Sequence, residues 1–562
     1  MDNFRKPSRD NQRRSIDSIR GGPAKQRPSE RPLGRRPLAM DGLRTSGRRV
    51  DGFRRPDGLY PTQPSTVRTH VPVAPKAATA ASGASLLHMT LPGGELSAKS
   101  SPRGARKAAK AKKQGKLHTI RKWFVRSTLV LAALALLLGG YLGVKALTKV
   151  NKVFKGGGTA AALQSDVKPE LLKGEGDGRI NILLLGRGGG DHAGPDLTDT
   201  ILVASIDPVN KTASLVSIPR DLWVTVPGAG SSKVNAVFAN AKYRSLNNNP
   251  KDKAKAEAAG AKAIENVVSD VLGIPIHYYT IVDFQAFKQA VDTVGGVDMN
   301  VPTELAVTER MWDETTGKPY YLNVPAGNQH FDGTRALFFT RTRHTSARGD
   351  FDRTERQRLF IQALSQKILS AGTFTNPVKV SQLMSDFGDH IATDLSVGNA
   401  IRLAQIGKNV KQSDIKSVGL ADPPNNYLQT DNLGGVSIVR PSAGLGDYSA
   451  IQNYIRNTLR DPYLAKENAS LTVLNGTTVP GLATAKANEL KSFGYKVTKV
   501  GDAPTQAYAH TIIVDKTGGK KPFTKNYLEK RFGVKATTKM PDSTIESQGA
   551  DFVIILGQDD AN

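Results

Sequence analysis

Between Arg126 and Lys145 the chain runs from Ser127 to Val144 without a charged side chain, and Leu and Ala dominate the run. At 1.5 Å rise per residue such a helix just matches the hydrocarbon core of a bilayer. We therefore expect a single transmembrane helix over 125–147, dividing the chain between two compartments. The run lies far from Met1 and no small-residue cleavage motif follows it, so it does not read as an ordinary signal peptide. Charge supplies the orientation. Residues 1–126 hold 29 Lys and Arg against 8 Asp and Glu, so most of the net +28 of the chain lies before the run. By the positive-inside rule that side is cytoplasmic, and the chain after about Lys149 is extracytoplasmic. The expected location is the cell membrane. The basic run Arg103 to Lys116 also suits anionic membrane lipid.

Residues 1–120 are rich in Pro, Gly, Ser and Arg, and cannot bury enough apolar surface to offset chain entropy. We expect a disordered basic cytoplasmic tail. With few aromatics among its cations it would attract phosphate backbones without reading bases, so no specific nucleic-acid partner is expected. The chain has no cysteine, which excludes disulfides, thiol nucleophiles and thiolate metal sites. A linker over 148–177, containing Gly156-Gly157-Gly158, leads to the folded part.

From Arg179 the pattern becomes α/β. Short apolar runs at Arg179–Gly186, Ile201–Ile206 and Ala213–Ile218 read as buried strands. Helices are expected over Lys251–Leu272 and Asp283–Val294, each stopped by glycine, with strands at Tyr278–Val282 and Asp298–Val301. A looped insertion is expected near Met311 to Pro325, and a helix over Thr354–Ser370. Strands alternating with helices argue for an α/β/α domain with a central mixed sheet covered on both faces. We place it at 178–460, with a core at 178–370 and an extension at 371–460. Residues 469–557 read as β-α-β-β-α-β, a small α/β sandwich without a catalytic cluster.

Six arginines fall between Arg341 and Arg358. Arg341 and Arg343 alternate with Thr340 and Thr342, as on one face of a strand. Arg353, Arg356 and Gln357 are three and four apart, as on a helix face. Packed side by side, strand and helix would gather Arg341, Arg343, Arg353 and Gln357 at one spot. Planar guanidinium forks bind phosphate oxygens bidentately and keep their charge, so this convergence suits a pyrophosphate. Arg348, Arg356 and Arg358 are expected to be solvated or ion-paired with Asp350, Asp352 and Glu355.

The loop Arg187 to Thr200 is glycine-rich but is neither a Walker loop nor a dinucleotide fingerprint. There is no Gly-x-Ser-x-Gly elbow, and His192 and His344 stand too far apart to read as a zinc site. Asp199 could offer Mg²⁺ a hard oxygen near a phosphate. Lys233 and Asn235 could add a charge and an amide. Arginines and aspartates without a nucleophile point to phosphoryl transfer by positioning and electrostatics.

Asn181-Ile182-Leu183-Leu184-Leu185-Gly186, Thr198-Asp199-Thr200, Ser217-Ile218-Pro219-Arg220-Asp221, Lys233-x-Asn235, Val294-Gly295-Gly296-Val297 and the arginine element follow in this order. This series resembles the LytR-CpsA-Psr family over roughly 178–370. Residues 469–557 resemble the LytR C-terminal domain, through Val473-Leu474-Asn475-Gly476 and Gly481-Leu482-Ala483. The resemblance implies a membrane-anchored phosphotransferase that moves a teichoic-acid-like glycopolymer from a polyprenyl-pyrophosphate carrier to peptidoglycan. It implies Arg220, Arg341, Arg343 and Arg353 on the pyrophosphate with Gln357 beside them, and Asp199 on Mg²⁺, or Mn²⁺. Asp199, Arg220, Arg341 and Arg343 would be the catalytic set, and Lys233 and Asn235, which match further motif positions, would join the pyrophosphate-binding group. The sequence departs from the family pattern where Arg187 and Leu197 replace an aspartate and an arginine. Asp191 or Asp196 is expected to supply the missing metal ligand, and Arg187 the missing guanidinium. A polymer-binding or regulatory protein and a pyrophosphatase remain the alternatives.

Overall fold

The computed structural model describes residues 156–562 except 191, 315, 371–386, 546–548 and 562. The expected tail, the expected transmembrane helix 125–147 and Asp191 lie outside the described residues. No helix among those described is long and apolar enough to cross a membrane.

The chain enters strand β1 (Ile180–Arg187), turns through β2 (Thr198–Asp207) and β3 (Thr212–Ser217), and makes a small hairpin of β4 (Trp223–Val226) and β5 (Gly230–Lys233). Helices α1 (Asn235–Asn248) and α2 (Lys253–Leu272) follow, then β6 (Tyr278–Asp283), α3 (Phe284–Thr293) and β7 (Val297–Val301). Next come β8 (Val307–Asp313), β9 (Lys318–Val324), β10 (Gly327–Phe331), α4 (Gly333–Arg341) and α5 (Asp350–Ser370). The extension adds β11 (Ile391–Thr393), α6 (Val397–Gly407), β12 (Ile415–Gly419), β13 (Leu428–Leu433), β14 (Val436–Pro441), α7 (Ser449–Thr458) and α8 (Pro462–Glu467).

Six strands form the central sheet in the order β11-β6-β1-β2-β3-β12. β1 pairs with β6 and β3 with β12 in parallel, while β1–β2, β2–β3 and β6–β11 are antiparallel, so the sheet is mixed. β1 shows why both faces are covered. Leu183 and Leu185 point into a core shared with α2 and α7, whereas Ile180 and Ile182 point to the opposite side with Ala286 of α3 and Ile406 of α6. Alternate residues on a strand face opposite ways, so an unbroken apolar run needs two cores. The expected α/β/α arrangement with a central mixed sheet is what the described residues form.

Helix α1 had no counterpart in the sequence reading. Its polar composition hides it, since only its first turn, with Asn235, Val237, Phe238 and Ala239, is buried. Gly260 of α2 admits it, because a Cβ there would lie 2.9 Å from the Phe238 ring. The insertion near Met311 is a hairpin of β8 and β9 rather than a loop. Its alternation of Val307, Glu309 and Met311 inward with Thr308, Arg310 and Trp312 outward is obscured by the charges on both faces.

The arginine element is a second correction. Arg335 to Arg341 is helical, not extended: Asp332 caps α4 by accepting from the Arg335 N–H, and Ala336, Leu337, Phe338, Phe339 and Thr340 are all buried. The Thr340 hydroxyl donates back to the carbonyls of Ala336 and Leu337, a helical hydrogen bond that an alternating reading does not anticipate. Helix α5 also starts at Asp350, four residues before the expected Thr354.

The C-terminal unit follows the expected order, with β15 (Ser470–Asn475), α9 (Leu482–Ser492), β16 (Lys496–Asp502), β17 (Ile512–Asp515), α10 (Pro522–Phe532) and β18 (Phe552–Leu556). The sheet order is β16-β15-β18-β17, and α9 and α10 share one face of it. The described part of the linker is packed rather than free. Ala160, Ala162 and Leu163 join the core beside α3, and Leu172 is fully buried in the core of the C-terminal unit.

Candidate functional site

A cavity of about 390 Å³ opens beside the C-terminal ends of β1 and α4 and the first turns of α5. Its interior is apolar. Phe284, Phe287 and Ala290 line it from α3, three residues apart on one helical face, and Leu184, Leu202 and Leu364 face them. The apolar face of this helix thus forms one wall of the interior.

The mouth is cationic, with Arg220, Arg341, Arg343 and Arg353 all lining it and Gln357 beside them. Helix periodicity sorts α5: Arg353, Gln357, Ile361 and Leu364 line the cavity, from cationic mouth to apolar interior. Arg341 ends α4 and lies 4.4 Å above the Phe284 ring, a cation–π contact that fixes the guanidinium at the boundary between the two parts. Its Nη2 is 3.6 Å from Glu314 and 3.5 Å from His192. Arg343 follows the helix on extended chain and makes no hydrogen bond or ion pair with another described residue.

Arg220 sits among three carboxylates, 3.1 Å from Asp199, 3.6 Å from Asp221 and 3.6 Å from Asp350. Burial works against its charge, yet these carboxylates outweigh burial and raise its pKa. Arg353 is buried; it donates to the Asp199 carbonyl at 3.2 Å and pairs with Asp350 at 2.9 Å. Burial raises the pKa of Asp350, with Arg353 and Arg220 pulling it back down. The Nε atoms of Arg220 and Arg353 are buried with no hydrogen-bond partner. Distances of 3.6 Å attract but do not satisfy a donor.

Asn235 donates to Asp199 Oδ1 at 3.1 Å, and Lys233 pairs with Asp221 at 2.7 Å. Both therefore hold the aspartates that flank Arg220 rather than lining the cavity. Asp199 Oδ1 thus has two donors while Oδ2 has no partner among the described residues.

The structure takes Asp196 elsewhere. Its carboxylate binds Arg187 at 3.0 Å and Lys242 at 2.6 Å, with Glu257 completing the cluster. This replaces the expectation that Asp196 serves the metal and Arg187 the pyrophosphate: a carboxylate held by two cations has little reason to leave them, and neither residue lines the cavity. Among the described residues no three His, Asp or Glu side chains converge as a metal site.

Arg356 and Arg358 are not solvated either. Arg356 is fully buried, donating to the carbonyls of Leu305 and Thr342 and to the Ser346 hydroxyl. Arg358 reaches Ser217, Ser417 and Asp422. Arg348 pairs with Asp352 and Glu355 as expected, whereas Arg358 is ion-paired with Asp422 instead. Sequence reasoning missed Phe284 as the platform for Arg341 and Asp350 as the counterion of Arg353. The i, i+3 spacing of Asp350 and Arg353 was a usable signal for the second.

The family model described as "LytR_cpsA_psr family" matches residues 146–440. The chain belongs to the LytR-CpsA-Psr family. A second model, "LytR cell envelope-related transcriptional attenuator", matches residues 468–559 of this family member. Among curated relatives, the cell wall biosynthesis protein LcpA of Corynebacterium glutamicum is 27% identical over 57% of this chain and 62% of its own length. The polyisoprenyl-teichoic acid–peptidoglycan teichoic acid transferase TagU of Enterococcus faecalis is 29% identical, over 45% of this chain and 75% of its own. The corresponding transferase TagV of Bacillus subtilis is 30% identical, over 42% and 56%. The chain thus spans less than two thirds of LcpA and of TagV. The crystal structure of B. subtilis TagV is 24% identical with a TM-score of 0.38, covering 50% of this chain and 97% of that one. TagT bound to LIIa-WTA is 21% identical with a TM-score of 0.39, covering 55% and 98%. No conclusion rests on these two likenesses.

Proposed function

We propose that this chain transfers a glycopolymer from a polyprenyl-pyrophosphate carrier to peptidoglycan. The observation that carries the proposal is a single cavity in which an apolar interior meets four guanidinium groups. A polyprenyl tail suits the interior, and a pyrophosphate suits the mouth. The names of the teichoic acid transferases among the relatives support the same reading.

In this mechanism the guanidinium groups of Arg220 and Arg353 contact the pyrophosphate at the mouth, and Arg341 and Arg343 close on it from the end of α4. An acceptor sugar hydroxyl attacks the phosphorus that bears the polymer. The bond from that phosphorus to the bridging oxygen breaks, and polyprenyl phosphate leaves with the bonding pair and takes up the proton that the hydroxyl gives up. The arginines stabilise the charge that gathers on the leaving phosphate, in a pocket from which Phe284 and Phe287 exclude water. Mg²⁺ belongs to the proposal: Asp199 would hold it, since this ion commonly takes one or two carboxylates and completes its shell with phosphate and water. It would supply further neutralisation of the pyrophosphate. Asn235 and Arg220 orient Asp199 for that contact.

The apolar run Ser127 to Val144 is proposed to anchor the chain in the membrane with its N-terminus cytoplasmic. The eleven residues between that run and Gly156 reach at most about 40 Å, which keeps the cavity near the bilayer. The test is to place the full chain in liposomes with a polyprenyl-pyrophosphate-linked glycan, Mg²⁺ and peptidoglycan. Polymer joined to peptidoglycan and an equal amount of polyprenyl monophosphate are expected, with turnover abolished by chelation. Tight binding without turnover would instead identify a polymer-binding protein, and free phospho-glycan a pyrophosphatase.

A further inference from the structure

We propose that the outer face of the β8–β9 hairpin is a docking surface for the bilayer interface, positioning the cavity mouth at the membrane from which its substrate comes. This rests on the reading of the cavity as a lipid-tail site.

The hairpin has two faces of different character. Inward, Val307, Leu322 and Val324 are buried, Tyr320 stacks on Phe338 at 4.1 Å, and Glu309 and Met311 line the cavity. Outward, Trp312 is 58% exposed and Tyr321 71% exposed, which are the two highest exposures among the large hydrophobic side chains described. The register puts Arg310 opposite Tyr321 and Trp312 opposite Pro319, so these four side chains share one face. The Arg310 guanidinium lies 5.7 Å from the Tyr321 ring and makes no ion pair with a described residue. Trp, Tyr and an unpaired Arg form the combination that settles at headgroup depth, with rings at the acyl boundary and the guanidinium free for lipid phosphate.

Two further observations favour a bilayer over an exposed sugar-stacking platform. A sugar platform surrounds its rings with groups that bond hydroxyls. Here the remaining outer polar pair, Thr308 and Asn323, is bonded to itself at 3.0 Å. The hairpin wall also continues into the N-terminal end of the described chain, the end that the proposed anchor precedes. Met311 shares the cavity with Ala290 of α3, and Ala290 packs in the cluster that holds Ala160, Ala162 and Leu163.

The test uses the full chain in phosphatidylglycerol liposomes, with Trp123 and Trp223 replaced by phenylalanine so that Trp312 is the only tryptophan. Its emission is expected to be blue-shifted, and to be quenched by lipids brominated near the glycerol end of their chains. The double variant Trp312→Ala, Tyr321→Ala is expected to lose roughly tenfold in transfer from bilayer-embedded donor while keeping transfer from a short-chain, water-soluble donor. Water-like emission that brominated lipid leaves unchanged would overturn the proposal. So would an emission shift caused by glycan strands without vesicles, which would mark a sugar platform. If the parent protein transfers neither donor while Trp312 is still quenched, the transferase reading fails and the docking surface stands.

Discussion

Arg220 touches Asp199, Asp221 and Asp350, and Arg353 touches Asp350 and the Asp199 carbonyl, so each mouth cation except Arg343 already has a protein partner. Among the described residues, Arg343 is therefore the mouth cation with no charged or hydrogen-bonding partner. Arg356, thirteen residues on in sequence, is its opposite: a fully buried guanidinium that holds the Thr342 carbonyl and Ser346 and so shapes the chain carrying Arg343. The two arginines predict opposite phenotypes. Arg343→Ala should leave the melting temperature unchanged and lower transfer by about two to three orders of magnitude, as for loss of one preorganised charge donor. Arg356→Ala should cost about 3 kcal/mol or more, read by chemical denaturation, because it orphans buried carbonyls and removes a packed side chain.

At the scale of elements, α2 shows how packing changes the charge of a side chain. The helix lays its apolar face on the central sheet and carries Glu265 into the interface, where burial, reinforced by Asp394, raises the carboxyl pKa to about 7. Burial likewise raises Asp394 to about 6. Both folded values lie above the ordinary carboxylate range, so between about pH 5 and 7 the folded chain binds more protons than the unfolded one. Stability must then fall as pH rises through that window. Glu265→Gln should flatten the decline and raise stability at pH 8 by no more than about 3 kcal/mol, checked by melting temperature against pH. The helices around the site also explain which elements were legible. The patterns of α2 and α3 have caps and glycine stops that local sequence displays: Asp283 accepts from two N–H groups of α3 and Gly273 closes α2 with φ of 65°. Four residues that alternate Thr and Arg fit either period, so α4 was misread until burial of Leu337, Phe338 and Phe339 in succession decided it.

Across the whole molecule, the C-terminal unit holds the segment that precedes the α/β/α domain. Glu175 binds Arg531 at 2.8 Å and accepts from the Tyr495 hydroxyl, and Asn526 donates to the carbonyls of Pro169 and Leu172. Asp461, which caps α8, accepts from the N–H groups of Gly176 and Gly178 and from the Tyr527 hydroxyl. Burial raises its pKa, opposed by these hydrogen bonds. The C-terminal unit, read from sequence as a small α/β sandwich without a catalytic cluster, thus clamps the chain that leads towards the expected anchor. Asp461→Ala should remove several hydrogen bonds from one buried point and cost about 2–4 kcal/mol, with new protease cleavage between Lys173 and Gly178. Denaturation and limited proteolysis would check both effects.

The sequence by itself determined the α/β class, the order of motifs that identifies the family and the choice of Arg341, Arg343, Arg353 and Gln357 as the group facing one cavity. These are local properties, carried by periodicity and by residues close in the chain. Only the tertiary structure decided which charges are available. Asp196 is taken by Lys242, Arg358 by Asp422, and Asp199 is oriented by Asn235, all through partners tens of residues away. A buried charge must find its counterion in space, and the strength of that pairing depends on desolvation that no spacing pattern encodes. The same reason sorts six similar arginines into mouth cations, a surface ion pair and two buried braces.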